Sequence, residues 1–143
     1  MSGAKPLAGM EFLWPVRVYY EDTDAAGLVY HSNYLKFMER ARTEWLRAGG
    51  HSARSLASGP GIRFVVREMT MRFFSPARLD QLLEVRTRLA RRGGASLVFE
   101  QSIHDDSATL LCAAEIGVAC LDAMTHRPKR IPEFIRKELD DVH

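Results

Sequence analysis

The stretch Tyr20-Glu21-Asp22-Thr23-Asp24-Ala25-Ala26-Gly27-Leu28-Val29-Tyr30-His31-Ser32-Asn33-Tyr34 gathers the groups of this chain best suited to hydrolysis. It carries three carboxylates, a glycine and a histidine, and it leads from a strand-like segment into a helix-like one. A helix N-terminus presents unpaired N–H groups and a partial positive charge. It can therefore stabilise an oxyanion, and it favours the ionised form of a nearby carboxylate. A carboxylate, a donor and a helix start in one short segment make a workable hydrolytic site. Acidic residues ahead of a helix also serve as caps or solvated loop residues, and the residues alone leave both readings open.

The elements that must position this stretch follow from periodicity. From Phe12 to Tyr20 the pattern alternates, with Val16, Val18 and Tyr20 on one side and Arg17 and Tyr19 on the other, which predicts a strand. Glu21 to Gly27 reads as a loop. Between Asn33 and Ala48 the period changes. Tyr34, Met38, Ala41, Trp45 and Ala48 form an apolar stripe, with Lys36, Glu39, Arg40, Thr43 and Arg47 opposite. Ser32 is the expected N-cap, Gly49-Gly50 the stop, and Arg40 with Glu44 an i,i+4 pair.

A Ser/Ala/Gly-rich connector covers 52–61. Strands are expected near 62–74, 81–91, 96–104 and 109–121, the last three forming an antiparallel meander, and a short helix near 133–139. One long helix against one antiparallel sheet is an α+β solution. The run Leu110–Leu121 is apolar on both sides, so the sheet is expected to continue into a partner subunit or be covered on its second face.

With 143 residues, 46% of them apolar, the chain fits one domain: a loose tail at 1–11 and a single unit at 12–143. Twenty basic and 18 acidic residues leave a net charge of +2, no footprint for nucleic acid or an anionic membrane. No apolar run reaches the ~18 residues of a membrane span, and no secretory signal is read at the N-terminus, so a cytoplasmic location is expected. Cys112 and Cys120, eight positions apart on one expected strand, would lie about 26 Å apart, too far to pair. They read as reduced core thiols, and no Cys/His group has zinc-ligand spacing.

The stretch 20–34 resembles the signature of the 4-hydroxybenzoyl-CoA thioesterase family of hotdog proteins, and most of all its Tol-Pal-associated acyl-CoA thioesterase branch. The resemblance runs through Trp14-Pro15-Val16-Arg17-Val18-Tyr19-Tyr20-Glu21-Asp22-Thr23-Asp24, Gly27 to Leu35 and Glu39-Arg40-Ala41-Arg42-Thr43-Glu44. It continues at Phe64-Val65-Val66-Arg67, Ser75-Pro76-Ala77-Arg78-Leu79-Asp80 and Ser96-Leu97-Val98-Phe99, so that it covers roughly 12–135.

The resemblance implies a hotdog fold, an antiparallel sheet wrapped around one long helix. It implies a homodimer or homotetramer with sites at the subunit interface. It places the catalytic carboxylate on Asp24 and the oxyanion donor on the backbone N–H of His31, where the benzoyl branch has Tyr. Asp22 is then a loop hydrogen-bond acceptor. Arg91 and Arg92, ahead of the Gly93-Gly94 turn, are the candidates for coenzyme A phosphates. The branch tends to place its Arg one position later.

The implied substrate is a short- to medium-chain or aromatic acyl-CoA. Coenzyme A belongs to the substrate, and no metal or separate cofactor is implied. Hydrolysis of acyl groups on acyl carrier protein and non-catalytic binding of acyl groups or a partner are the alternatives. Retention of Asp24, Gly27 and His31 favours an enzyme.

Overall fold

The computed structural model describes residues 10–140, so the first nine residues of the expected tail at 1–11 lie outside the described residues. The elements are β1 (Phe12–Arg17), α1 (His31–Ala48), α2 (Ala53–Ser58), β2 (Ile62–Phe73), β3 (Leu82–Arg92), β4 (Ser96–His104), β5 (Leu110–Asp122) and α3 (Glu133–Asp140). The strands form one antiparallel sheet in the order β1-β3-β4-β5-β2. The expected α+β class and the β3-β4-β5 meander are both present. No helix among the described residues is long and apolar enough to cross a membrane.

Alternation places one side of each central strand under α1. Along β4, burial switches at every residue, with Leu97, Phe99, Gln101 and Ile103 turned inward. Phe37, Met38 and Ala41 of α1 pack on Leu83, Val85, Ile103 and Leu111. A second cluster gathers Trp45, Leu56, Leu97, Phe99, Ile116, Ile131 and Ile135 at the other end of the helix. Burying each large aliphatic or aromatic side chain contributes roughly 1.5–3 kcal/mol, so these layers hold helix to sheet.

Several local expectations are corrected. β1 stops at Arg17, and the chain turns through a 3₁₀ segment, Tyr20–Asp22, that leaves Tyr20 exposed. The helix starts two residues before Asn33, with Tyr30 as N-cap, and Ser32 lies inside its first turn. Ala48 is exposed, and Glu44 pairs with Arg47, not Arg40. The connector contains α2, whose N-cap Ser52 accepts the Ser55 N–H at 3.0 Å while Ser55 Oγ accepts the Ser52 N–H at 2.9 Å. Gly49 caps α1, and Gly50, at φ +90°, takes the left-handed turn that a side chain would strain.

The junction between β1 and α1 is closed by Asp22, only 6% exposed. Its Oδ2 accepts the Tyr19 N–H at 2.9 Å and its Oδ1 accepts Asn33 Nδ2–H at 2.8 Å. Its carbonyl accepts the Tyr30 N–H at 3.1 Å. One residue thus ties the strand exit, the helix entry and the first turn of α1 together. Tyr34 adds a second tie, its hydroxyl accepting the Ala77 N–H at 2.9 Å. Burial pushes the Tyr34 hydroxyl above its ordinary pKa, opposed by that hydrogen bond.

Cys112 and Cys120 are free and buried, and burial pushes their pKa values up to about 12 and about 11. Neither thiol is expected to react with a disulfide reagent in the native protein at pH 8, and both should react once guanidinium unfolds it; native-state labelling would contradict the packing. Asp22→Ala is expected to lower the unfolding free energy by about 1.5–3 kcal/mol, the scale of a hydrogen bond to a charged group. Urea denaturation at pH 7 measures this, and a loss under about 0.5 kcal/mol, within the range of ordinary surface substitutions, would show that Asp22 is no clamp.

Candidate active site

Thr23 to Val29 forms a tight excursion closed by a bridge between those two residues. Gly27 sits at φ +77°, a conformation that suits glycine, and its N–H bonds the Asp24 carbonyl at 3.0 Å. The excursion is held from its far side by loop 75–81. The Leu79 N–H donates to the Gly27 carbonyl at 3.1 Å, the Val29 N–H to the Ala77 carbonyl at 2.9 Å, and Leu28 bridges Arg78. Asp24 is therefore fixed on a braced loop one bridge away from the start of α1.

The Asp24 carboxylate is exposed in the isolated chain and divides its two oxygens. Oδ1 accepts the Ala26 N–H at 2.8 Å and the Leu28 N–H at 3.2 Å. Oδ2 takes no hydrogen bond among the described residues. The local bonds orient the group, and the second oxygen stays available to a proton or an electrophile.

The helix start is the complementary half. Tyr30 supplies no side-chain cap, and the first backbone bond of the turn is Asn33 N–H to the Tyr30 carbonyl at 2.9 Å. The N–H groups of His31 and Ser32 have no acceptor among the described residues. An uncapped helix start carries the positive end of the dipole and two open donors, the features of an oxyanion site. The His31 ring is exposed and stands edge-on to Phe73 of β2, with centroids 5.3 Å apart.

A cavity of about 470 Å³ opens at the other half of α1. It is lined by Leu46, Leu56, Ile62, Phe64, Val65, Val66, Leu97, Phe99 and Val118, with Glu39, Arg42 and Thr43 from the helix. Glu39 lies eight residues beyond His31, about 12 Å along a helix. Within one chain, then, the cavity and the Asp24–His31 centre are separate.

Arg91 and Arg92 are also apart from that centre. Arg92 pairs in register with Leu97 at the cavity end of the sheet, whereas Phe73 beside His31 pairs with Cys112, which pairs with Ile103. Six residues of strand separate 97 from 103, about 20 Å. Arg92 is also engaged: Nε and Nη2 hold the Asp140 carboxylate at 2.8 and 2.5 Å, and Nη1 donates to the Gly93 carbonyl at 3.0 Å. It anchors α3 to the hairpin. Arg91 is exposed, with Glu115 at 3.8 Å.

Two features escaped the sequence reading. Asn33 is a polar residue on the buried side of α1, and Gln101 occupies an inward position of β4 between Phe99 and Ile103. Each interrupts an apolar pattern, and that interruption was the available signal.

The sequence profile of the Thioesterase superfamily matches residues 26–112, a span that begins two residues after Asp24 and includes His31. The acyl-CoA thioester hydrolase YbgC of Escherichia coli O6:H1 is 49% identical over 127 residues, 89% of this chain and 94% of the relative. The acyl-CoA thioesterase YbgC of Haemophilus influenzae is 41% identical, over 87% of this chain and 91% of that one. The crystal structure of a probable thioesterase from Bartonella henselae superposes with a TM-score of 0.81 at 39% identity, covering 86% of this chain and all of the other. The chain belongs to the thioesterase superfamily.

Proposed function

We propose that this protein hydrolyses acyl-CoA thioesters at sites built between two antiparallel copies of the chain. The observation that carries the reading is the pairing of a carboxylate having one open oxygen, Asp24 Oδ2, with an uncapped helix start having open N–H donors at His31 and Ser32. The YbgC relatives, named as acyl-CoA thioester hydrolases and thioesterases, supply the substrate class.

The His31 N–H holds the thioester carbonyl oxygen. Asp24 takes a proton from water as the water oxygen bonds to the acyl carbon, and the carbonyl electron pair moves onto the held oxygen. When that oxyanion collapses, the carbon–sulfur bond breaks and the thiolate of coenzyme A leaves with a proton. Direct attack by Asp24, giving a mixed anhydride that water then opens, uses the same two groups. A role for the His31 imidazole in orienting the water or protonating the thiolate is supported by its exposure at the helix start.

The second copy is argued from the sheet edges. β1 is one edge and is interrupted by Pro15, which has no N–H to donate. β2 is the other edge, 12 residues without proline, with Val65, Val66, Met69 and Phe73 exposed. A long proline-free edge with such exposed apolar side chains is open to pairing with another strand. Antiparallel pairing of two β2 strands about their midpoint sets the Phe73 end of one against the Ile62 end of the other. The Asp24–His31 centre then faces the partner's 62–66 cavity, which takes the acyl group. Arg91 is exposed at the cavity end of the sheet, on the outer face beside Glu115, so it would reach coenzyme A phosphates only around the hairpin, and Arg92 would have to exchange Asp140 to do so.

Asp24→Asn is expected to lower kcat at least about 10²-fold for thiol release from acyl-CoA, while the far-UV spectrum is unchanged. Wild-type turnover in that variant would remove Asp24 from the mechanism. Equal amounts of Asp24→Asn and Val66→Trp chains, unfolded and refolded together, are expected to recover about a quarter of wild-type activity. Half of the random pairs are mixed, and each mixed pair holds one intact site of two in an isologous dimer. No recovery, or a monomeric mass in sedimentation, would confine the site to one chain.

A further inference from the structure

The cavity is mostly aliphatic and aromatic, with Glu39, Arg42, Thr43 and Arg63 as its polar lining. Of its two guanidiniums, Arg63 is exposed and donates to the Ala123 carbonyl, whereas Arg42 is half-buried and no carboxylate lies within salt-bridge distance of it among the described residues. Its Nη1 donates to Gln101 Oε1 at 2.9 Å. Gln101, 3% exposed, is itself held on both amide hydrogens, donating from Nε2 to the Met38 carbonyl at 3.0 Å and to Thr87 Oγ1 at 2.9 Å. Gln101 is thus a fully satisfied side chain whose one remaining interaction is to aim a guanidinium. The other N–H groups of Arg42 have no acceptor among the described residues. Burial pulls the guanidinium below the ordinary arginine value, against the opposing field of Glu39.

A cation taken out of water without a counter-charge is costly unless something in its site accepts its hydrogen bonds. A purely aliphatic acyl chain in this cavity would leave those donors unmet. An acyl group with an oxygen at its far end would meet them. Arginine presents its N–H groups in a planar fork that suits an oxygen acceptor.

We propose that Arg42, positioned by Gln101, selects acyl groups that carry a hydroxyl or carboxylate oxygen at the end remote from the thioester. This rests on the reading of the 62–66 cavity as the acyl pocket. A site built to hydrogen-bond a substrate oxygen discriminates far more sharply than an apolar pocket that merely tolerates one. The preference is therefore expected to be large and to reside in this one contact.

Three six-carbon thioesters of coenzyme A separate the possibilities: hexanoyl, 6-hydroxyhexanoyl and adipoyl, which end in a methyl, a hydroxyl and a carboxylate. Wild-type kcat/KM is expected to favour at least one oxygen-ended substrate over hexanoyl by about tenfold or more, and which one leads tells a hydroxyl site from a carboxylate site. In Arg42→Met that ratio should collapse at least tenfold, mainly through KM. In Arg42→Lys, which keeps a cation without the fork, it should fall less. A wild-type preference for hexanoyl, or a ratio unmoved in both variants, overturns the role of Arg42 while the thioesterase reading stands. Should Arg42→Met fail to fold, the wild-type ratio and Arg42→Lys still decide. If none of the three is hydrolysed by the wild type, nor butyryl- or benzoyl-CoA, the acyl-CoA reading falls and this inference falls with it.

Discussion

The buried carboxylate of Asp22 is the interaction on which the rest of the centre depends. A charged group at 6% exposure persists only when its oxygens are satisfied, and here one oxygen holds the strand exit through Tyr19 while the other holds the helix through Asn33. The backbone carbonyl of the same residue fixes Tyr30. Everything between, residues 23–29, is a loop whose two ends are pinned to one side chain and its backbone. The tight excursion at Asp24, its brace from Leu79 and Ala77, and the entry direction of α1 all inherit their geometry from this point. Two acids only two residues apart take opposite parts. The inward one is used up as a structural acceptor, and the outward one keeps an oxygen in reserve.

Much of this was legible because strands and helices announce themselves by period. The four strands after the connector were read within one residue or so at each end, since β3, β4 and β5 alternate cleanly and are separated by Gly-Gly and Asp-Asp-Ser turns. The helix start was misplaced for a physical reason. Ser32 is the best capping residue in the neighbourhood, whereas the chain uses Tyr30, which offers no cap. A rule that looks for satisfied helix ends passes over an end that is left open. Specific side-chain partners were not legible, whether distant or local. Nothing near Arg92 in the sequence announces Asp140, 48 residues away, and nothing decides that Glu44 takes Arg47, three residues on, over Arg40, four residues back.

The two edges of the sheet underlie the proposal that the site is completed by a second copy. Edge strands offer unpaired backbone groups, and proteins that are to remain unpaired blunt them with proline, charge or a short length. β1, with Pro15 and six residues, follows that rule. β2 has twice that length and no proline, although Arg63, Arg67, Glu68 and Arg72 lie along it and it bulges between Val66 and Glu68, where its register with β5 shifts. The helix start stands over one end of this strand, through the contact of His31 with Phe73, and the cavity opens over the other end. Joining them within a single chain would require a helix some 12 Å shorter, which would no longer cover the sheet. The proposed twofold pairing would bring the ends together without altering the fold.

The core itself is divided. The cluster beneath the helix start and the cluster around Trp45 and Phe99 are distinct, and Gln101, Thr87 and Arg42 lie between them as a polar seam. Packing alone gives no reason for such a seam. Filling position 101 with leucine would join two apolar layers and remove a polar network whose members all require partners. What the seam achieves is rigidity in one guanidinium. Gln101 has two inward bonds to rigid elements, a helix carbonyl and a strand hydroxyl, so the direction of Arg42 is set by the sheet and the helix together and not by its own flexible stem. A half-buried cation immobilised in this way is the basis for the proposed oxygen-recognising point. That point lies on the wall of the cavity that the proposed acyl group would fill.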